Sequence, residues 1–410
     1  MAAAISLRSY LLVTPFSPTE RIIILAFPDI SLNHTWNVDR LPWAAFAHPT
    51  KVRSFKDRVT VLDPELVEAM APHVSAVSPQ VPKLLRQTHQ SAAAAFLYLL
   101  LSLGSPSFPP SMYTLRSTIP IASGLGSSAS ISVCMSAAIL HQIEHLNAPR
   151  ATRSTEGMDE MLDIINQWAF VGELCIHGNP SGIDNTVSTR GNAVLFRRSQ
   201  LGEPASVTLL EKFPVLPLLI VNTKQARSTA VQVAKVATLK ETYPSVTDPI
   251  LDAIGKITEA VYALLTLDDF DVNDSETMQR LGELTRVNHG LLVALGVSHP
   301  KLERIRELID HAGIGWTKLT GAGGGGCAFT ILKPEALPEV LHRLEKDLDA
   351  EGFARYSTLL GGEGVGLLKP VFVRGQEITQ GKFLKASGSK TVERLVGDSR
   401  GVKGEWSYWG

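Results

Sequence analysis

Cysteine is scarce in this chain. Only Cys134, Cys175 and Cys327 occur in 410 residues, far apart and each within an apolar run. An odd, sparse count rules out a disulfide framework and offers no zinc-cluster spacing, so reduced thiols in a cytosolic setting are expected. Charge of one sign is also lacking: 39 Lys and Arg against 40 Asp and Glu leave a formal net charge of −1. No broad basic field exists for nucleic acid or an anionic membrane surface. The longest apolar stretch, Ala92 to Leu101, is about half the roughly 20 residues of a bilayer span. Residues 1–15 lack the basic and apolar blocks of a secretory signal. No Gly-x-x-x-x-Gly-Lys-Ser/Thr string occurs, which excludes the common P-loop, and no internal repeat is visible.

What remains is a globular composition, 44% hydrophobic and 19% charged, in a chain long enough for two domains. Strands are expected at 5–15 and 21–27, forming a hairpin with a long connection, and at 113–117. Helices are expected at 91–103, 128–146 and 158–176. A strand at 192–197 precedes a turn-rich boundary at 199–214. Beyond it come a strand at 218–222, a long helical region from 229 to 312, strands at 316–320 and 327–332, a helix at 338–351 and a strand at 353–360. From about 375 the sequence turns polar and reads as a mobile tail with an aromatic end, Trp406-Ser407-Tyr408-Trp409. The irregular alternation of strands and helices indicates an α+β fold.

The most informative junction is Gly124-Leu125-Gly126-Ser127-Ser128-Ala129, which stands directly before an apolar helical run. Unpaired N–H groups and the helix dipole favour an anion at such a start, and glycines allow close backbone approach. The junction therefore reads as a phosphate cradle. Glu173 and, eleven residues on, Asp184 flank a turn of small and polar residues that includes Ser181. A carboxylate beside a phosphate site is costly unless it holds a cation or handles a proton. The plain alternative makes Glu173 a surface residue and Asp184 a helix cap. Gly321 to Gly326 holds five glycines in six positions, a costly run that implies close approach of the backbone to something. A strand-like segment comes next, so the dinucleotide-binding reading is weak. Lys224 and Arg227 at a strand end could neutralise phosphate or a substrate carboxylate. His141-Gln142-Ile143-Glu144-His145 fits an inverted zinc-hydrolase pattern with both histidines on one helix face, but no third ligand is evident.

Together these segments resemble the GHMP kinases, the family of galactokinase, homoserine kinase, mevalonate kinase and phosphomevalonate kinase. Pro120 to Ala129 is similar to the family's phosphate loop, and Thr320 to Cys327 to its C-terminal glycine motif. Gly172 to Asn185, Asn222-Thr223-Lys224 with Arg227 and Thr229, and Leu360 to Val365 resemble the mevalonate-phosphorylating branch. The resemblance implies an N-terminal domain like ribosomal S5 domain 2, with a left-handed βαβ crossover, over 1–213. It implies a ferredoxin-like C-terminal domain over 214–372, then a tail over 373–410. It also implies ATP and Mg²⁺ as cofactors, with Gly124, Leu125, Gly126, Ser127, Ser128, Ala129, Gly323 and Gly324 around the nucleotide. Ser128 and Glu173 would ligate Mg²⁺, Asp184 would act on the attacking hydroxyl, and Lys224, Arg227 and Ser181 would meet substrate or phosphate.

The implied reaction is transfer of the γ-phosphoryl group of ATP to the C5 hydroxyl of mevalonate, a cytoplasmic step in isoprenoid and sterol precursor synthesis. The implied partners are that small molecule and a second copy in a homodimer, with no nucleic acid or membrane. Other acceptors of the same family (phosphomevalonate, homoserine, galactose) and a catalytically impaired regulatory homologue are the alternatives. Family members open with a Gly-Lys-Val-x-Leu-x-Gly-Glu-His segment whose lysine approaches the catalytic aspartate. Here Ala2 to Ser9 resembles the family sequence immediately C-terminal to that segment, so the chain as written is expected to bind nucleotide poorly and turn over slowly.

Overall fold

The computed structural model describes residues 1–51, 54–121, 123–146, 155–197, 206–210, 212–368, 372–373, 376–397 and 406–409. The chain divides into two compact units, each drawn from separate stretches: 1–6, 120–125 and 192–362 in one, 7–119, 126–191 and 363–410 in the other. Long-range pairing, rather than chain order, assigns these pieces.

The unit containing residues 7–119 is built on a four-stranded sheet in the order Ser9–Pro15, Ser111–Ser117, Ile22–Phe27, Leu32–Asn37. The expected hairpin between the first two strands of the chain does not form. Ser111–Ser117 lies between them, antiparallel to Ser9–Pro15 and parallel to Ile22–Phe27, while Leu32–Asn37 takes the hairpin position. Both partners of Ser111–Ser117 are apolar on the core face, and local sequence does not distinguish them. Helix Lys83–Leu103 begins two turns before its apolar stretch, and its Phe96, Leu97, Leu99 and Leu100 are fully buried. Burial of each such side chain contributes about 2 kcal/mol. Phe96 stacks on Trp36 and meets Tyr113 edge-on, joining helix to sheet. Helices Ser127–Gln142 and Thr155–His177 pack so closely that a methyl on Gly172 would lie 2.7 Å from Ser132 Oγ.

The stretch after 373, read as a mobile tail, is ordered where described. Helices Gln380–Lys385 and Ser389–Val396 bury Phe383, Val392 and Val396 in a cluster with Tyr10, and Trp406–Tyr408 pairs with Gly366–Leu368. Arg116 fixes this layer by donating from Nε to the Phe383 carbonyl at 3.2 Å while its Nη1 pairs with Asp29 at 2.6 Å. The polar composition hid an amphipathic pattern that only a partner surface makes useful.

The unit containing 192–362 carries an antiparallel sheet in the order Ala354–Leu360, Leu216–Asn222, Cys327–Leu332, Gly315–Leu319. A smaller sheet pairs Ala193–Arg197 with Ala2–Ala3 and with Ser206–Leu210. The expected boundary at 199–214 therefore contains a strand, and its residues 199–205 and 211 lie outside the described ones. Helices Thr229–Thr242, Pro244–Leu265, Ser275–Ala294, Pro300–Ala312 and Pro338–Ala350 belong to this unit. Gly282 of the third lets the Trp316 ring rest directly on helix backbone. Among the described residues no helix is long and apolar enough to cross a membrane.

Candidate active site

In the unit containing 7–119, helix Ser127–Gln142 starts from Gly126, whose φ of 72° is the left-handed conformation that glycine adopts without strain. Among the described residues no side chain caps this start, so the helix tip keeps its dipole and N–H groups for an anion. Ser127 and Ser128 occupy the first turn and are half-buried, while Ala129 is buried beneath them. Ser128 Oγ lies 3.0 Å from His177 Nε2, at the end of helix Thr155–His177.

One turn back on that helix, Glu173 is only 5% exposed. Burial pushes its carboxyl up to about 7. Hydrogen bonding from Ser128 offsets part of that shift, and the nearby charge of Asp184 adds to it. Its Oε2 stands 3.9 Å from His177 Nε2, whereas its buried Oε1 has no hydrogen-bond partner among the described residues. Asp184 is exposed in the first turn of helix Ile183–Arg190, which begins at Gly182. Its side chain lies against Gly126: a methyl there would be 3.4 Å from Asp184 Cβ and 3.6 Å from Oδ2. Ser181 Oγ accepts from the Ile183 N–H at 3.4 Å and is exposed. The serine-tipped helix, Glu173 and Asp184 thus come together within one unit. His177 is the residue that sequence reasoning missed; its signal was the Glu-x-x-x-His spacing, which places both side chains on one helix face.

This donor set suits a hard cation. The unpartnered buried oxygen of Glu173 and the repulsion between two carboxylates are both relieved by a positive charge. Among the described residues no group of three or more His, Cys, Asp or Glu could enclose a metal. Mg²⁺ needs no such group, since it binds through one or two protein oxygens together with waters and phosphate oxygens.

In the other unit, the glycine run folds around Arg227. A methyl on Gly124 would overlap the Arg227 guanidinium, and methyls on Gly321 and Gly326 would lie 3.1 Å from Nη1 and 3.0 Å from Cδ. Arg227 Nη1 donates to the Thr320 carbonyl at 3.1 Å. Leu125, next to Gly124, packs partly buried on the core of this unit. The close approach implied by the glycines is, in this part, approach to an arginine of the chain itself. Several amides of the run are also engaged internally: Gly323 donates to Thr320 O at 3.3 Å, Gly324 to Val297 O at 2.7 Å and Gly326 to Gln225 O at 3.1 Å. Lys224 is exposed at a φ of 54°, its N–H held by Asn222 Oδ1 at 2.8 Å.

The zinc-hydrolase pattern is not realised. The helix ends at Gln142, Glu144 turns to a φ of 58°, and the His145 ring packs 4.3 Å from Phe55, so the two histidines do not share a helix face.

Comparisons agree with this geometry. The family model "GHMP kinases N terminal domain" matches residues 90–192, and "GHMP kinases C terminal" matches 267–350. A mevalonate kinase of Gibberella zeae is 52% identical over all of this chain and 83% of its own length. One of Aspergillus fumigatus is 55% identical over all of this chain and 78% of its own. The crystal structure of Methanococcus jannaschii mevalonate kinase superposes with a TM-score of 0.59 at 22% identity, covering 87% of this chain and 90% of that one, a likeness of fold. The L. major mevalonate kinase solved with R-mevalonate gives 0.56 at 27%, covering 70% and 81%. With both halves of the family signature matched and relatives above half identity over the whole of this sequence, the chain belongs to the mevalonate kinase group of the GHMP kinase family.

Proposed function

We propose that this chain transfers the γ-phosphoryl group of ATP to the C5 hydroxyl of mevalonate, giving 5-phosphomevalonate and ADP. The observation that carries the reading is the placement of Asp184 against Gly126, at the uncapped tip of the serine-rich helix. Phosphoryl transfer asks for positioning and charge neutralisation rather than covalent chemistry. The Gly126–Ala129 backbone presents N–H groups to phosphate oxygens. Ser128 and Glu173 would hold Mg²⁺, which would supply positive charge to offset that of the phosphates. Asp184 accepts or orients the proton of the attacking hydroxyl. Gly124, Leu125, Gly323 and Gly324 serve the nucleotide, and Ser181, Lys224 and Arg227 serve substrate or phosphate. The branch-specific run from Gly172 to Asn185, together with the names of the closely similar relatives, supports mevalonate over other acceptors. Sparse, separated thiols favour the cytoplasm as compartment, and a homodimer is inferred only by analogy.

The test is a panel of mevalonate, phosphomevalonate, homoserine and galactose, each with MgATP, read as ADP release and as phosphorylated product. Mevalonate is expected to be turned over at least about a hundredfold faster, in kcat/KM, than any other acceptor. Equal or preferred use of another alcohol, or binding of ATP and mevalonate without product, overturns the proposal.

A further inference from the structure

The helix that carries Asp184 is only eight residues long, Ile183–Arg190. A helix this short has little stability of its own, so its orientation depends on what holds its ends. Its C-terminal end is held by the turn 363–365. Val365 N–H donates to the Thr189 carbonyl at 2.9 Å, one of the carbonyls that a helix end leaves free, and Glu363 bridges Gly191. The contact is so close that a methyl on Gly364 would overlap Thr189 O and lie 2.7 Å from the Arg190 carbonyl carbon.

That turn is in turn gripped from two directions. Arg8 donates from Nη2 to Glu363 O at 2.7 Å and from Nη1 to Gly364 O at 2.9 Å. The same guanidinium lies 5.3 Å over the ring of Tyr408. Tyr408 pairs with Gly366, Trp406 pairs with Leu368, and Trp409 N–H donates to Val365 O at 3.2 Å. Trp409 is 1% exposed, among the largest fully buried side chains of the chain. The far end of this segment is anchored by Trp406 Nε1 donating to Val396 O at 3.0 Å and by the Trp406 ring against Tyr10.

We propose that Arg8 and the aromatic segment Trp406–Trp409 form a clasp that positions Asp184 by fixing the C-terminal end of its helix. The role of Asp184 rests on the function proposed above; the clasp itself rests on the contacts of Arg8, Tyr408 and Trp409. These three are positioning residues: Arg8 and Trp409 bond the turn 363–365, which touches the helix, and Tyr408 holds Arg8 and pairs with Gly366 next to that turn. A small rotation of an eight-residue rod displaces its first turn, and misplacement by about 1 Å can cost up to about a hundredfold in rate.

The experiment compares full-length Tyr408→Ala, Trp409→Ala and Tyr408→Phe with the unmodified protein. It reads kcat and KM for MgATP and mevalonate, and amide hydrogen exchange peptide by peptide. Both alanine variants are expected to lose about tenfold or more in kcat with KM for MgATP within about twofold of the parent. Amide exchange across 183–190 is expected to quicken at least about tenfold while helix Ser127–Gln142 keeps its protection. Tyr408→Phe keeps the ring under Arg8 and is expected to match the parent in every readout. Unchanged exchange across 183–190 in the alanine variants, or a Phe variant as impaired as the Ala one, overturns the clasp, as does quickened exchange with full kcat. If Trp409→Ala does not fold, Tyr408→Ala and Tyr408→Phe decide alone. Asp184→Asn run in parallel separates the two readings: full turnover in that variant removes the assignment of Asp184, whereas the exchange comparison judges the clasp regardless.

Discussion

Gly126 and Asp184 are neighbours across two helix starts: a methyl at 126 would touch the Asp184 side chain at ordinary van der Waals distance, 3.4 Å from Cβ and 3.6 Å from Oδ2. The glycine is required by the left-handed turn into the serine-rich helix, and that turn sets the backbone beside the carboxylate. Gly126→Ala adds strain of about 1 kcal/mol from its positive φ at the turn beside Asp184. We expect a loss of about tenfold or more in kcat. Asp184→Asn is expected to lower kcat by about 10²–10⁴ while ATP affinity, measured by calorimetry, stays within about threefold.

Gly124 and Arg227 form a second such pair, since a side chain at 124 and the guanidinium cannot share the same space. Gly124→Ala should destabilise by about 1–3 kcal/mol. Arg227→Ala in the same chain should return part of that loss, leaving the strain of the positive φ at 124. Urea titrations of both single variants and the double variant measure the coupling, and simple additivity would show that the two residues do not compete for space.

Glu173 is buried with one oxygen unpartnered, and its carboxyl is pushed up to about 7. Ionising it without a cation is costly, so at pH 8 and without Mg²⁺ Glu173→Gln should be more stable than the parent by about 1–3 kcal/mol. With MgATP the order should reverse in function: the Mg²⁺ concentration for half-maximal activity is expected to rise about tenfold or more. Thermal melts and Mg²⁺ titrations of activity check both arms.

Lys318 on strand Gly315–Leu319 is enclosed beside the Phe329 ring, and burial lowers its ammonium from 10.5 to about 8. Its folded value lies below its unfolded one, so the folded state is penalised in full below pH 8. That penalty lifts as pH rises from 8 toward 10.5. Lys318→Met should therefore stabilise by about 1–2 kcal/mol at pH 7, and the advantage should fade by pH 10. Urea midpoints at pH 7, 8.5 and 10 test this, and a constant gap across that range would contradict it.

Much of the candidate site in the unit containing 7–119 was legible in the chain because its signals are local. Helix Ser127–Gln142 is announced by glycines, serines and an apolar run in consecutive residues, and Glu173 to Asp184 is spanned by one helix end and one turn. The insertion of Ser111–Ser117 between the first two strands was not legible, because any apolar strand of that length could have filled the gap. The engagement of Arg227 by the glycines was missed for a related reason: a glycine run announces close approach but not the identity of the neighbour. The end of the chain was misread because composition averages over positions, and Phe383, Val392, Val396 and Trp409 bury their faces only once a partner surface exists.

Sequence alone thus determined the family and announced the candidate site, its carboxylates and its glycine-serine turn, since each is written in short strings whose spacing obeys helix and turn geometry. Tertiary structure alone decided which strands are neighbours, that an arginine occupies the glycine-lined space, and that the last aromatic residues reach back to the turn behind Asp184. Those relations join residues tens to hundreds of positions apart, where burial and backbone hydrogen bonding, not local propensity, select the partner.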